Sequence, residues 1–133
     1  MIAIDTNVLL RLVLRDDDAQ AATAAKVLRR AAAGETPLFV SDIVLCEFAW
    51  VLRAQRRFAR GAIANALREI IATAFVRVRD EAVVTRAVER YATGPGGFAD
   101  YLIAEQALAA GAGEVVTFDK ALRREAGFRL LPG

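Results

Sequence analysis

A chain of 133 residues that is 56% hydrophobic, 26% charged and has only 3 prolines is expected to fold as one domain spanning residues 1–133, and its composition excludes a disordered segment. No apolar run approaches the ~18 residues of a membrane span, and Asp5 interrupts the apolar N-terminus that a secretory leader would need, so a cytoplasmic protein is expected. The chain has no histidine and one cysteine, Cys46, which excludes an internal disulfide, a His-ligated or multi-cysteine zinc site, and Ser-His-Asp or Cys-His catalysis.

Residues 2–5 read as a first strand, followed by a short apolar helix over 7–14. Asp17 and Gln20 have the spacing of a capping box that opens a second helix running to about Ala33, and Gly34 stops it. Leu38-Phe39-Val40 is a second strand, and Ser41 is placed to cap a helix that continues to about Arg57. A further helix is expected over 60–73, then a strand from Phe75 to Val78, then a helix capped by Asp80 that ends near Ala92. The turn Gly94-Pro95-Gly96-Gly97 leads into a helix from Phe98 to about Ala110. Glu114 to Phe118 is a fourth strand, Asp119 starts a short helix, and Phe128 to Leu131 has the pattern of a short edge strand. Alternating strands and helices predict an α/β fold, three layers with helices on both faces of a mostly parallel central sheet of four to five strands. Ligands of such folds bind beyond the carboxyl ends of the strands.

The chemistry left to a chain without histidine rests on carboxylates, hydroxyls, Arg and Lys, and four carboxylates stand out. Asp5 and Asp119 each end an apolar strand at the start of a helix, which suits an N-cap but also brings two acids to one sheet edge. Glu47 has Ile43, Val44, Trp50 and Val51 at helical spacing, so it is expected to point into an apolar stripe, and no Lys or Arg occurs between Ser41 and Leu52. Asp100 shares a helix face with Ile103, Ala104 and Ala107, in the first turn, where the helix dipole also favours an anion. Four convergent carboxylates repel one another unless a divalent ion neutralises them, and oxygen-only donors select Mg²⁺ or Mn²⁺ over zinc. Such a centre suits metal-assisted hydrolysis of a phosphodiester.

The stretches IDTNVLLRLVL at 4–14, VSDIVLCEFAWVL at 40–52, FADYLIAEQA at 98–107 and VVTFDKALRR at 115–124 together resemble PIN-domain proteins, and among them the VapC toxins of VapBC toxin–antitoxin systems. The resemblance extends over essentially the whole chain. It implies a PIN fold and an acidic Mg²⁺ or Mn²⁺ site that cleaves RNA, with Asp5, Glu47, Asp100 and Asp119 at the family's four acidic positions. Asn7 and Thr117 match its supporting positions. On this resemblance Asp5 and Asp100 hold the principal ion, Asp119 assists directly or through water, and Glu47 binds a second ion or orients and deprotonates the attacking water. It further implies a VapB-like antitoxin as partner, and a homodimer or a toxin–antitoxin hetero-oligomer. The variable loop Gly94–Gly97 carries no substrate inference.

The net charge of +2 does not by itself specify a nucleic-acid partner, although all but Lys26 and Lys120 of the 18 basic residues are Arg, whose fork suits phosphate. Arg53, Arg56, Arg57 and Arg60 fall at i, i+3, i+4 and i+7, a stripe able to track RNA phosphates or simply to face solvent near a helix end. Competing functions are a solitary PIN ribonuclease in RNA processing, a non-catalytic RNA-binding module, and a receiver-like signalling domain using Asp5, Asp80 and Lys120. The last leaves Glu47 and Asp100 without a role. A phosphatase with an aspartyl nucleophile would want an acid at position 7, which is Asn7.

Overall fold

Four of the helices begin where a short polar side chain satisfies backbone N–H groups that a helix start leaves unpaired. The computed structural model describes residues 1–133. After the first strand, β1 (Ile2–Ala3), Asp5 Oδ1 accepts from Val8 N (3.1 Å) and opens α1 (Thr6–Leu14). Asp17 accepts from Gln20 N (3.0 Å) at the start of α2 (Asp18–Ala32). After β2 (Leu38–Phe39), Ser41 caps α3 (Asp42–Trp50) by accepting from Val44 N (3.2 Å). The next elements are α4 (Arg60–Ala72) and β3 (Val76–Arg77), then Asp80, which accepts from Val83 N (3.1 Å) to start α5 (Glu81–Thr93). Such caps are worth about 0.5–2 kcal/mol each relative to Ala. The chain closes with α6 (Phe98–Ala109), β4 (Val115–Thr117), a 3₁₀ turn (Lys120–Leu122) and β5 (Phe128–Leu130).

The fold is α/β with six helices and short parallel strands. In the first ladder β1 lies beside β2 with Ile2 opposite Leu38, and β2 beside β3 with Leu38 opposite Val76. Strands β4 and β5 form a second parallel ladder, Val115 opposite Phe128. The expected single sheet is therefore two ladders, of three and two strands. Strands of two or three residues supply few rungs with which to join the halves, and Ile2 and Val116 stay about half exposed. Gln20 completes no reciprocal capping box; its side chain accepts from Arg11 Nε instead (2.6 Å).

A cluster of 23 buried apolar residues holds the helices together. Its centre is α3, which buries Val44, Leu45, Phe48 and Ala49, with Leu52 just beyond, each full burial of a large apolar side chain being worth about 1.5–3 kcal/mol. The inward face is thus 44/45/48/52, and Ile43 and Trp50 remain 72% and 60% exposed. Glu47 lies with them on the outer side and is exposed, which corrects its expected place in the apolar stripe. The error has a simple cause: α3 is apolar on both faces, so neighbours at i±3 and i±4 do not tell inside from outside.

The helix expected to reach Arg57 also ends differently. Residues Val51–Gln55 form a π turn in which Arg56 N donates to Val51 O (3.1 Å), and Arg57 turns left-handed at φ 57°. Arg53, Arg56, Arg57 and Arg60 consequently share no helical stripe, because the wider turn and the break before α4 change the rotation between them. No helix is long and apolar enough to cross a membrane.

Candidate metal centre

The four carboxylates sit on elements that pack in series: α3 lies against both α1 and α6, and α6 against β4. Asp5 precedes α1, Glu47 is on α3, Asp100 is in the first turn of α6 and Asp119 follows β4. Three of them spend one oxygen on the local backbone. Asp5 Oδ1 accepts from Val8 N, Asp100 Oδ2 from Gly97 N (2.8 Å), and Asp119 Oδ1 from Ala121 N (2.9 Å). Thr117 Oγ1 accepts from Asp119 N (3.0 Å) and so fixes the backbone that presents this carboxylate. Asn7 lines one groove with Asp5 between α1 and α2, a space of about 440 Å³ that also touches Arg11, Gln20 and Thr23.

None of the four acids is in an ion pair, whereas Asp16, Asp42, Glu89, Glu105 and Glu114 each have an arginine within 4 Å. Carboxylates that keep an unshared oxygen and no basic neighbour are the donor chemistry a hard divalent ion requires. No three His, Cys, Asp or Glu side chains stand together at the spacing of one ion. The donors thus fit such an ion by type, and the side chains of Asp5, Glu47 and Asp119 are exposed.

The arginines divide by commitment. Arg56 pairs with Asp16, which Arg11 also holds (3.0 Å); desolvation pushes the Asp16 carboxyl up, but the hydrogen bond from Arg56 and the charges of the two arginines together outweigh it and bring the carboxyl below its ordinary value. Arg60 donates to the carbonyls of Tyr91 (3.2 Å), Pro95 (3.3 Å) and Gly96 (2.5 Å), so its guanidinium faces the protein rather than a phosphate. Arg53 gives one bond to Phe58 O (3.1 Å) and, with Trp50, Phe98 and Ala99, lines a small groove of about 130 Å³ that abuts the start of α6. Arg57 is exposed.

Two polar centres escaped the sequence reading. Asp42 Oδ2 accepts from Gln106 Nε2 (2.8 Å) and stands 3.7 Å from Arg79 Nε, which ties the start of α3 to α6. Glu105 is the one buried charged side chain, 6% exposed. Its Oε1 accepts from Arg86 Nε (2.8 Å) and its Oε2 from Arg90 Nη1 (3.0 Å). Burial pushes the Glu105 carboxyl up, but the two guanidinium groups outweigh it and hold the carboxyl below its ordinary value. The available signal was Arg86 and Arg90 one turn apart on α5, facing a helix that packs on it. Cys46 is half-buried; desolvation, then the charge of Asp42, pushes its thiol up to about 11.

Two acids follow parallel strands, Asp5 after β1 and Asp119 after β4, and two lie on helices, Glu47 on α3 and Asp100 on α6, an arrangement within the α/β class. The PIN-domain family model matches residues 2–127, and the chain belongs to that family. PIN domains are generally metal-dependent nucleases that act on RNA or other nucleic acid, typically with divalent ions. No curated protein matches the chain closely.

Proposed function

We propose that this PIN domain is an endoribonuclease of the VapC toxin type, dependent on Mg²⁺ or Mn²⁺ and neutralised by a VapB-like antitoxin. The observation that carries the reading is the set of four carboxylates without basic partners, one on each of four successively packed segments of a PIN domain. Asp5 and Asp100 would hold the principal ion, Asp119 would reach it directly or through water, and Glu47 would hold a second ion or orient and deprotonate the attacking water. An ion held there would supply Lewis acidity at the phosphoryl group and charge stabilisation at the leaving oxygen. In this reading Asn7 and Thr117 are supporting groups: Asn7 shares a groove with Asp5, and Thr117 accepts from the Asp119 backbone N–H. Of the four arginines, Arg53 and Arg57 keep donors for RNA phosphates, while Arg56 and Arg60 are occupied within the fold.

The test is cleavage of RNA by the purified protein, expected to stop with EDTA, to return with Mn²⁺, and to be absent in Asp100→Asn. Full activity of Asp100→Asn sinks the assignment. The toxin role is read separately: expression is expected to arrest growth, and co-expression of a small protein encoded beside the gene to relieve the arrest.

A further inference from the structure

The Gly94–Gly97 turn, a variable loop from which no substrate inference is drawn, is held from two sides. Arg60, the first residue of α4, reaches across to it, donating from Nη1 to Gly96 O (2.5 Å) and Tyr91 O (3.2 Å) and from Nη2 to Pro95 O (3.3 Å). The same guanidinium lies over the Tyr91 ring, 4.6 Å from its centroid. From the other side the buried Tyr101 hydroxyl accepts from Gly96 N (3.1 Å) and donates to Glu125 Oε1 (2.6 Å). The glycines leave no space between these partners: a Cβ on Gly94 would lie 1.9 Å from the Tyr101 hydroxyl, and one on Gly96 would lie 2.7 Å from Leu122 Cδ2.

Both ends of this network reach the acidic centre. Gly97, next to the clamped Gly96, donates its N–H to Asp100 Oδ2 (2.8 Å), and Tyr101 is the residue after Asp100. On the far side Leu122 belongs to the 3₁₀ turn that Asp119 caps, and Glu125 follows it. No contact of Arg60 is to a carboxylate, so what it contributes is order in a run of carbonyls rather than an ion pair. A lysine ammonium cannot reproduce a planar fork that serves three carbonyls while stacking on an aromatic ring.

We propose that Arg60 and Tyr101 are positioning residues, which hold Asp100 in a set relation to Asp119 by clamping the turn at 94–97 between α4 and the segment 119–125. The inference rests on the metal-nuclease reading of those two acids. Groups that orient a metal ligand from behind typically change affinity or activity 10–100-fold when removed.

The experiment is calorimetric titration of Mn²⁺ alone into the full chain, its Arg60→Lys and Tyr101→Phe variants and an Asp100→Asn comparator, well below each melting temperature. RNA-cleavage kcat and KM and amide exchange at Gly96 and Gly97 are measured in parallel. Arg60→Lys and Tyr101→Phe are expected to bind Mn²⁺ about tenfold more weakly, to lose kcat with KM for RNA unchanged, and to exchange the two glycine amides faster. A merely structural role would lower the melting temperature and leave Mn²⁺ affinity at the wild-type value, and that result overturns the proposal. Should Tyr101→Phe fail to fold, Glu125→Ala removes one of the two hydroxyl bonds, the one that ties Tyr101 to the segment 119–125, from outside the core, and is held to the same Mn²⁺-affinity criterion. If Asp100→Asn itself binds Mn²⁺ normally, the underlying reading fails and this inference falls with it. Loss of binding in Asp100→Asn with unchanged affinity in the other variants removes this inference alone.

Discussion

Truncating Glu105 to alanine is expected to be the most costly single change to a charged residue in this chain. The substitution deletes two charge-assisted hydrogen bonds and leaves two guanidinium groups without their acceptor. Bonds to charged groups are worth about 1.5–3 kcal/mol each, and breaking a fully buried pair costs about 3–5 kcal/mol. The upper value does not apply, because the Arg86 side chain is 54% exposed and regains water when released. Arg90 is only 24% exposed, but it keeps Ala126 O (2.5 Å) and the face of Tyr101, 5.0 Å from its guanidinium carbon. The expected loss is therefore about 2–3 kcal/mol, nearly all of it from the Arg90 side. With an unfolding entropy of about 2.1 cal/mol/K per residue, 133 residues give about 0.28 kcal/mol/K, so the melting temperature should fall by about 9 °C. Urea denaturation followed by circular dichroism checks this at constant m-value. Arg86→Ala should cost under about 1 kcal/mol in the same assay, as for an exposed pair. A Glu105→Ala variant within about 0.5 kcal/mol of wild type, or an Arg86→Ala variant worse than it, refutes the reasoning.

The same carboxyl sets an acid limit. Because its folded value lies below the ordinary 4.5, the stability it contributes is complete above 4.5 and is lost as pH falls through the lower folded value; a Glu105→Gln variant should lose part of that slope in pH-dependent melting curves. Cys46, with its thiol near 11, should react with iodoacetamide at pH 8 roughly two orders of magnitude more slowly in the folded chain than in urea; equal rates would contradict the burial described.

Much of the framework was visible in single residues. Asp17, Ser41 and Asp80 mark helix starts because a short side-chain acceptor before an apolar run has few other structural uses, and each caps as expected. Asp5 and Asp119 also cap, and their further role in a metal centre remains a proposal that this capping geometry permits. What the sequence hid was non-local or directional. Glu105 meets partners 19 and 15 residues away on another helix, so nothing in its own neighbourhood distinguishes it from a solvated acid. The outward direction of Glu47 was hidden by Ile43 and Trp50, large apolar residues left on the surface. The π turn at 51–55 has no sequence mark, since Val51, Leu52 and Ala54 suit an α-helix as well. The tight hold on Gly94–Gly97 depends on Arg60, whose reach across 36 positions to Gly96 follows from the packing of α4 against α5.

The half-buried position of Cys46 has a consequence for anyone measuring rates. Imidazole and thiol are the side chains whose protonation ordinarily changes near neutral pH. This chain has no imidazole, and its one thiol stays protonated to about 11. Between pH 6 and 9 neither side-chain type can therefore place an inflection in a pH–rate profile. An inflection found there reports an ionisation that belongs to something other than a histidine or the cysteine, which makes the wild-type protein its own control for kinetic titration.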